Sequence, residues 1–102
     1  MPPIDAQVIW DDALGKATVA DISVPAANGT TVINWTCGAN VASFAISGLD
    51  PTEFTPSDSN GQKTNFSTTD RNDNALEYSY TVIGTHASGR TSRHDPKIEN
   101  GT

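Results

Sequence analysis

An alternating stretch at residues 76–84 is the feature that most constrains the fold of this chain. Leu76, Tyr78, Tyr80 and Val82 occupy every second position, and polar residues fill the positions between them. A period of two places the apolar set on one face of a β-strand. Aromatic and β-branched side chains also suit a half-buried pleated surface. The sequence therefore predicts a central strand here, within an antiparallel sheet.

Other segments with strand character lie on both sides of this stretch, separated by Gly, Pro and Asn turn signals. They cover residues 6–10, 17–24, 30–37, 42–47 and 63–68, and a final strand ends at residue 98. Residues 49–62 form a long, mostly polar loop that allows short edge pairing but no core strand. Six or seven short strands at this spacing are typical of a two-sheet β-sandwich.

The last two strands are predicted to form a hairpin of defined register. A three-residue loop at 87–89, with its glycine in the left-handed conformation, places Val82 opposite His94. The final strand is then expected to bend around Pro96 and to lie at a sheet edge, because proline cannot donate a ladder hydrogen bond.

The aromatic residues of the predicted strands resemble those of immunoglobulin-like domains. Trp35 lies on an early strand and the Tyr78–Tyr80 pair on a late one; in that fold a tyrosine near the start of a late strand bonds back to the preceding turn. Tyr78 is the candidate for this role. The fold class expected for residues 1–102 is therefore one all-β domain, an immunoglobulin-like antiparallel β-sandwich of about seven strands. The predicted core consists of Trp35, Phe44, Ile46, Phe66, Tyr78, Tyr80 and Val82.

A narrower resemblance covers roughly the last quarter of the chain. The Tyr78-x-Tyr80-x-Val82 strand, the glycine turn and the closing segment Asp95-Pro96-Lys97-Ile98-Glu99-Asn100 are similar to small bacterial immunoglobulin-like proteins of the DP-EP type. This resemblance implies a fold and a bacterial source, and it implies no chemistry.

The composition excludes some classes of function. The 102 residues carry a net charge of −6, which argues against nucleic-acid binding, since that needs a basic face. No apolar run approaches the roughly 18 residues of a membrane span. Residues 1–5 lack the features of a signal peptide, and a single cysteine excludes an internal disulfide. A cytoplasmic location is expected, unless a leader has been removed.

No catalytic arrangement is visible in the sequence. Cys37 falls on the predicted core face, where a thiol packs as a small hydrophobe. His86 and His94 belong to no recognisable motif, and no second ligand stands at zinc spacing. The sequence therefore predicts no enzyme activity, no catalytic residues, no cofactor and no metal ligands.

One segment, Asp70-Arg71-Asn72-Asp73-Asn74, is similar to the start of a calcium loop. The glycine required at the sixth position is replaced by Ala75, and the closing glutamate at the twelfth by Thr81. Asp and Asn also favour ordinary turns, because their side chains bond to the nearby backbone. A turn is the preferred interpretation, and a weak surface calcium site is the alternative.

The basic residues gather in the last strand, whereas the acidic ones lie mainly in loops. Arg90, Arg93, His94 and Lys97 either protect an exposed edge from pairing or form a docking strip for an acidic partner or a second copy of the chain. These four are the candidate partner-binding residues.

The sequence thus indicates a non-catalytic binding or structural module whose ligand is unknown. A protein partner or self-association through an edge strand is expected, with no nucleic acid and no membrane. The alternative is a carbohydrate- or calcium-binding module that uses Trp10 and the turn at residues 70–74.

Overall fold

The computed structural model describes residues 3–102; Met1 and Pro2, which belong to the stretch inspected for a leader, lie outside it. Within this range, no helix has the length and apolar character that a bilayer crossing requires. Eleven strands and one 3-10 turn, Ala26–Asn28, account for the regular structure of the described residues. The strands are β1 (Ile4–Asp11), β2 (Lys16–Thr18), β3 (Ile22–Val24), β4 (Thr31–Cys37), β5 (Val41–Ser47), β6 (Phe54–Thr55), β7 (Asn65–Asp70), β8 (Glu77–Ser79), β9 (Thr81–His86), β10 (Thr91–His94) and β11 (Lys97–Asn100).

The strands form three sheets, in the orders β2-β1-β4-β7-β6, β10-β9-β5 and β3-β11-β8. The all-β class is confirmed, but the sheets are mixed. β1 runs parallel to β4, and β3 runs parallel to β11. The expectation of about seven antiparallel strands is not confirmed, because two strand pairs are parallel and because three predicted segments (residues 17–24, residues 76–84 and the final strand) are each divided between two sheets.

The predicted hairpin is present with the expected register. His94 pairs with Val82, and β9 lies between β10 and β5 in an antiparallel sheet. The ladder is interrupted at Tyr80, whose N–H donates to the carbonyl oxygen of Pro96 at 3.1 Å. The residues before Tyr80 belong to another sheet as β8, and Leu76, which shares the apolar face of the predicted strand, is 59% exposed.

The segment predicted as one strand over residues 17–24 forms two strands in two different sheets. Ala17 and Val19 are buried, and so are Ile22 and Val24. The buried positions are odd-numbered in the first half and even-numbered in the second, so the alternation changes phase between them. A single strand cannot bury both halves on one face, and the chain therefore crosses between sheets at residues 19–21.

The core joins residues of all three sheets around Trp35. Its Nε1 donates to the hydroxyl of Tyr80 at 3.1 Å, and its ring stacks on Phe66 at a centroid distance of 5.7 Å. The predicted core is confirmed at Trp35, Phe44, Ile46, Tyr80 and Val82, whereas Phe66 and Tyr78 are half-buried and pack against it.

Two further side chains refine the predicted core. The hydroxyl of Tyr78 accepts a hydrogen bond of 2.8 Å from Asn74 in the preceding turn, which agrees with its expected role. Phe54 of the supposedly polar loop is buried and meets Tyr78 edge to face. The loop therefore supplies the edge strand β6 and part of the core.

Candidate functional site

Arg93 and Lys97, two of the predicted partner-binding residues, form exposed ion pairs. Nε of Arg93 lies 3.2 Å from Oδ1 of Asp95, and Nζ of Lys97 lies 3.0 Å from Oε1 of Glu77. Exposed pairs of this kind stabilise a fold little. Both cations remain accessible to solvent, and their binding role stays a prediction.

Arg90 and His94, the other two residues, contact the N-terminal part of the chain. The guanidinium of Arg90 lies 5.4 Å from the ring centroid of Trp10, at cation–π distance. Nε2 of His94 lies 3.1 Å from the carbonyl oxygen of Val19. These contacts give both residues a packing role. They do not test the predicted role of Arg90 and His94 in partner binding.

The β11 part of the final strand lacks the free side that was predicted for it. β11 lies between β3 and β8 and pairs with both. β10 pairs with β9, and its other side lies against β2, where the N–H of Ala17 donates to Oγ of Ser92 at 2.7 Å. Since a strand has only two edges, no further chain can pair with the backbone of β11. Pro96 lies between β10 and β11, where the chain passes from one sheet into the next.

Open backbone edges also lie at β1 and β3, which line a groove of about 1010 Å³. Most of the lining of this β1–β3 groove comes from β1 and from residues 18–23. β2 and β3 occupy opposite ends of one stretch of chain that crosses between sheets. The groove therefore lies where the chain leaves the edge of β1.

The free backbone groups of β1 can be assigned from its neighbours. The carbonyl oxygen of Val8 accepts from the N–H of Gly38, and the N–H of Trp10 donates to the carbonyl oxygen of Ala39, both on the β4 side. Alternate residues of a strand direct their backbone groups to opposite sides. The N–H and C=O of Asp5 and Gln7 therefore point away from β4, and β2 covers this outer side only from Ile9 onward.

The lining of the groove combines apolar surface with negative charge. Val19 and Ile22 are buried beneath it, and Ile9 is 41% exposed beside it. Asp5 and Asp21 also line the groove, and both are exposed. An apolar slot with acidic side chains favours an apolar ligand that carries positive charge.

A second polar group of residues is buried where β6, β7 and β11 meet. Asp70 is completely buried, Asn100 is 3% exposed and Glu53 is 4% exposed. The side-chain nitrogen of Asn100 donates to Oε2 of Glu53 at 2.8 Å and to Oδ1 of Asp70 at 3.0 Å. We call these three residues the Glu53–Asp70–Asn100 cluster.

The cluster contains acids that are costly to ionise. Desolvation raises the pKa of Glu53, and the neighbouring carboxyl of Asp73 raises it further. Desolvation also raises the pKa of Asp70, against hydrogen bonds from Asn72 and Asn100 that lower it. No three Asp, Glu, His or Cys side chains within residues 3–102 form a metal-ligand set by themselves. Any cation here would therefore also need amide oxygens.

The segment at residues 70–74 does form a turn, as the preferred interpretation expected. The N–H of Asn72 donates to Oδ1 of Asp70 at 2.9 Å, and Asn72 adopts a positive φ of 49°. Its side-chain nitrogen donates to the carbonyl oxygens of Pro25 and Gly29. Sequence reasoning identified Asp70 but missed its distant neighbours in the cluster, since no local spacing brings them together.

His94 lines the groove, whereas His86 and Cys37 lie apart from both sites. Cys37 is half-buried, and desolvation raises the pKa of its thiol. Nδ1 of His86 lies 2.8 Å from Oγ of Ser88 at the exposed tip of the hairpin. The side chain of His86 packs against Trp10, at a ring distance of 4.8 Å.

Both tryptophans are buried in the structure. Trp35 has no exposed surface, and Trp10, whose position the sequence left open, is 6% exposed. A sugar-stacking platform needs an accessible ring face. The carbohydrate-binding alternative therefore lacks the Trp10 surface on which it depended.

Comparison with models of known protein families and with curated proteins found no match to this chain. The functional argument therefore depends on the geometry of the β1–β3 groove and of the buried cluster.

Proposed function

We propose that this chain is a non-catalytic, immunoglobulin-like binding module that holds an extended segment of a protein partner in the β1–β3 groove. The observation that carries the proposal is the unpaired outer edge of β1 at Asp5 and Gln7, beside an apolar groove. Core packing of Trp35 against Tyr80 supports the immunoglobulin-like part, as does the final hairpin. A DP-EP-type relationship and a cytoplasmic location belong to the same proposal.

A bound segment would pair, as an added strand, with the backbone groups of Asp5 and Gln7. It would occupy the part of the outer side of β1 that β2 does not cover. Backbone hydrogen bonds of this kind provide affinity, and pockets for alternate side chains provide specificity. The open edge spans about five residues, which corresponds to roughly 17 Å of extended chain. A short linear segment is therefore the expected ligand.

The charge of the groove selects among such segments. Asp5 and Asp21 favour a segment in which Lys or Arg alternates with aliphatic residues. A second copy of this chain is disfavoured, because each copy carries a net charge of −6. The expected ligand is thus a basic, apolar segment, whereas the sequence had predicted an acidic partner or a second copy of the chain at the basic residues of the final strand.

Selection from a displayed library of random heptapeptides, followed by NMR titration of the labelled protein, tests the proposal. Selected peptides should be rich in Lys or Arg alternating with aliphatic residues, and they should shift the amide signals of Asp5, Gln7 and Ser23. Gln7→Pro removes an outward N–H without removing a bond to β4. It should weaken binding by about three- to tenfold, the effect of one lost hydrogen bond.

Arg90→Glu combined with Arg93→Glu is the matched control, because it changes the basic strip and leaves the backbone edge of β1 intact. Peptides bound in the groove should keep their affinity for this double variant. Selection of acidic peptides whose binding the double variant abolishes would place the site on the basic strip instead. Selected peptides that bind Gln7→Pro and the original protein equally would also contradict pairing with β1.

A further inference from the structure

The Glu53–Asp70–Asn100 cluster contains two oxygen atoms without any hydrogen-bond partner. They are Oδ2 of Asp70 and Oδ1 of Asn100, and both belong to side chains that are at least nine-tenths buried. Buried polar atoms are nearly always paired, so each unpaired one requires an explanation. Here both atoms are electron-rich oxygens, the type that a cation would attract.

No basic side chain among the described residues forms an ion pair with Glu53 or Asp70. The nearest arginine in sequence, Arg71, lies 3.2 Å from Asp73 and is exposed to solvent. Asp73 itself adds a third carboxyl beside Glu53 and raises its pKa. Buried carboxylates need a compensating positive charge, a metal ion or a proton.

The side-chain NH2 of Asn100 is a positive partial charge that contacts both buried carboxylates. It bridges Oε2 of Glu53 and Oδ1 of Asp70, the position where a cation would bridge them. The oxygen and nitrogen of a side-chain amide exchange places by a half-turn of the amide group. That half-turn would point Oδ1 of Asn100 at the space between the carboxylates.

We propose that Glu53, Asp70 and the amide oxygen of Asn100 bind a calcium ion. All the ligands are oxygens, as hard cations prefer. Calcium tolerates irregular sets of six to eight oxygen ligands, whereas magnesium requires near-octahedral geometry. The proposed site is independent of the β1–β3 groove, and it extends the turn at residues 70–74 to partners from two other segments.

Thermal unfolding of the full chain, first treated with EDTA and then titrated with calcium chloride at constant ionic strength, tests the site. A tenfold excess of calcium over its dissociation constant should raise the Tm by about 5–10 °C, and magnesium should have a smaller effect. Asp70→Asn should abolish the calcium-dependent rise. Asp12→Asn is the matched control, because Asp12 is exposed and far along the chain from the cluster.

Asn100→Asp keeps the test decisive if Asp70→Asn fails to fold. A third buried carboxylate should lower the Tm of the calcium-free protein and enlarge the rise that calcium produces. If Asn100 only bridges two acids, calcium will change the Tm of neither the original protein nor Asn100→Asp, and the proposal is wrong. An equal rise in the original protein and in Asp70→Asn would also overturn it.

Discussion

Gly84 lies where strand β9 passes under β2, and a larger residue there should be strongly destabilising. A Cβ atom built on Gly84 would lie 2.3 Å from the Cβ of Ala17. Two carbon atoms normally approach no closer than about 3.5 Å. Gly84→Ala therefore requires the two strands to separate by more than about 1 Å, in a region where Val8 and Val82 are also buried.

The expected cost follows from two opposing effects. Overpacking of a well-packed core usually costs about 1–3 kcal/mol. Replacing glycine by alanine restricts the unfolded chain and returns about 0.4–1 kcal/mol. We therefore expect Gly84→Ala to lower the free energy of unfolding by about 1–2 kcal/mol, which corresponds to a fall in Tm of roughly 5–15 °C for a domain of this size.

Urea unfolding followed by tryptophan fluorescence measures this change, and Ala17→Gly supplies the second arm of a double-mutant cycle. The double variant has one methyl group in the contact, as the original protein does. Its destabilisation should be smaller than the sum of the two single changes by at least about 1 kcal/mol. Costs that add within about 0.5 kcal/mol, or a Gly84→Ala variant as stable as the original, would refute the proposed contact.

Two further predictions concern ionisable side chains. The thiol of Cys37, whose pKa is raised by desolvation, should react several-fold more slowly with a thiol reagent in the native protein than in denaturant, and rapid native labelling would contradict its packing role. The raised pKa of Asp70 means that the folded, calcium-free protein binds more protons than the unfolded chain, from the ordinary pKa of 3.8 up to the folded value. The free energy of unfolding of the original protein, relative to that of Asp70→Asn, should therefore fall as the pH rises through this window and level off above it. Urea unfolding in EDTA from pH 4 to 7 measures this difference, and a rise of the difference with pH would contradict the prediction.

The parts of the fold that were predictable depend on local patterns. The hairpin register followed from Gly89, which has a φ of 95°, and from the length of the loop. The inward positions of Trp35 and Tyr80 followed from strict alternation. The crossing at residues 19–21 was missed, although the change of phase between Val19 and Ile22 was readable in the sequence.

Other features depend on residues far apart in the chain and had no local signal. The parallel pairing of β1 with β4 involves no turn that could have marked it. In the buried cluster, Glu53 and Asn100 are 47 residues apart, and only the fold brings them to Asp70. The groove likewise exists because β2 ends early, which propensity alone does not predict.

The parallel pairing of β3 with β11 has a consequence for the order in which the chain folds. β3 can be fixed only after β11 has been positioned more than 70 residues later, whereas β5, β9 and β10 can associate through much shorter connections. Contacts of such long separation close slowly, because the entropy of the intervening loop is lost first. Asn100 arrives with β11. Glu53 and Asp70 would therefore meet before the amide that bridges them, and their mutual repulsion would oppose the late steps of folding until that amide, a proton or a cation reaches them.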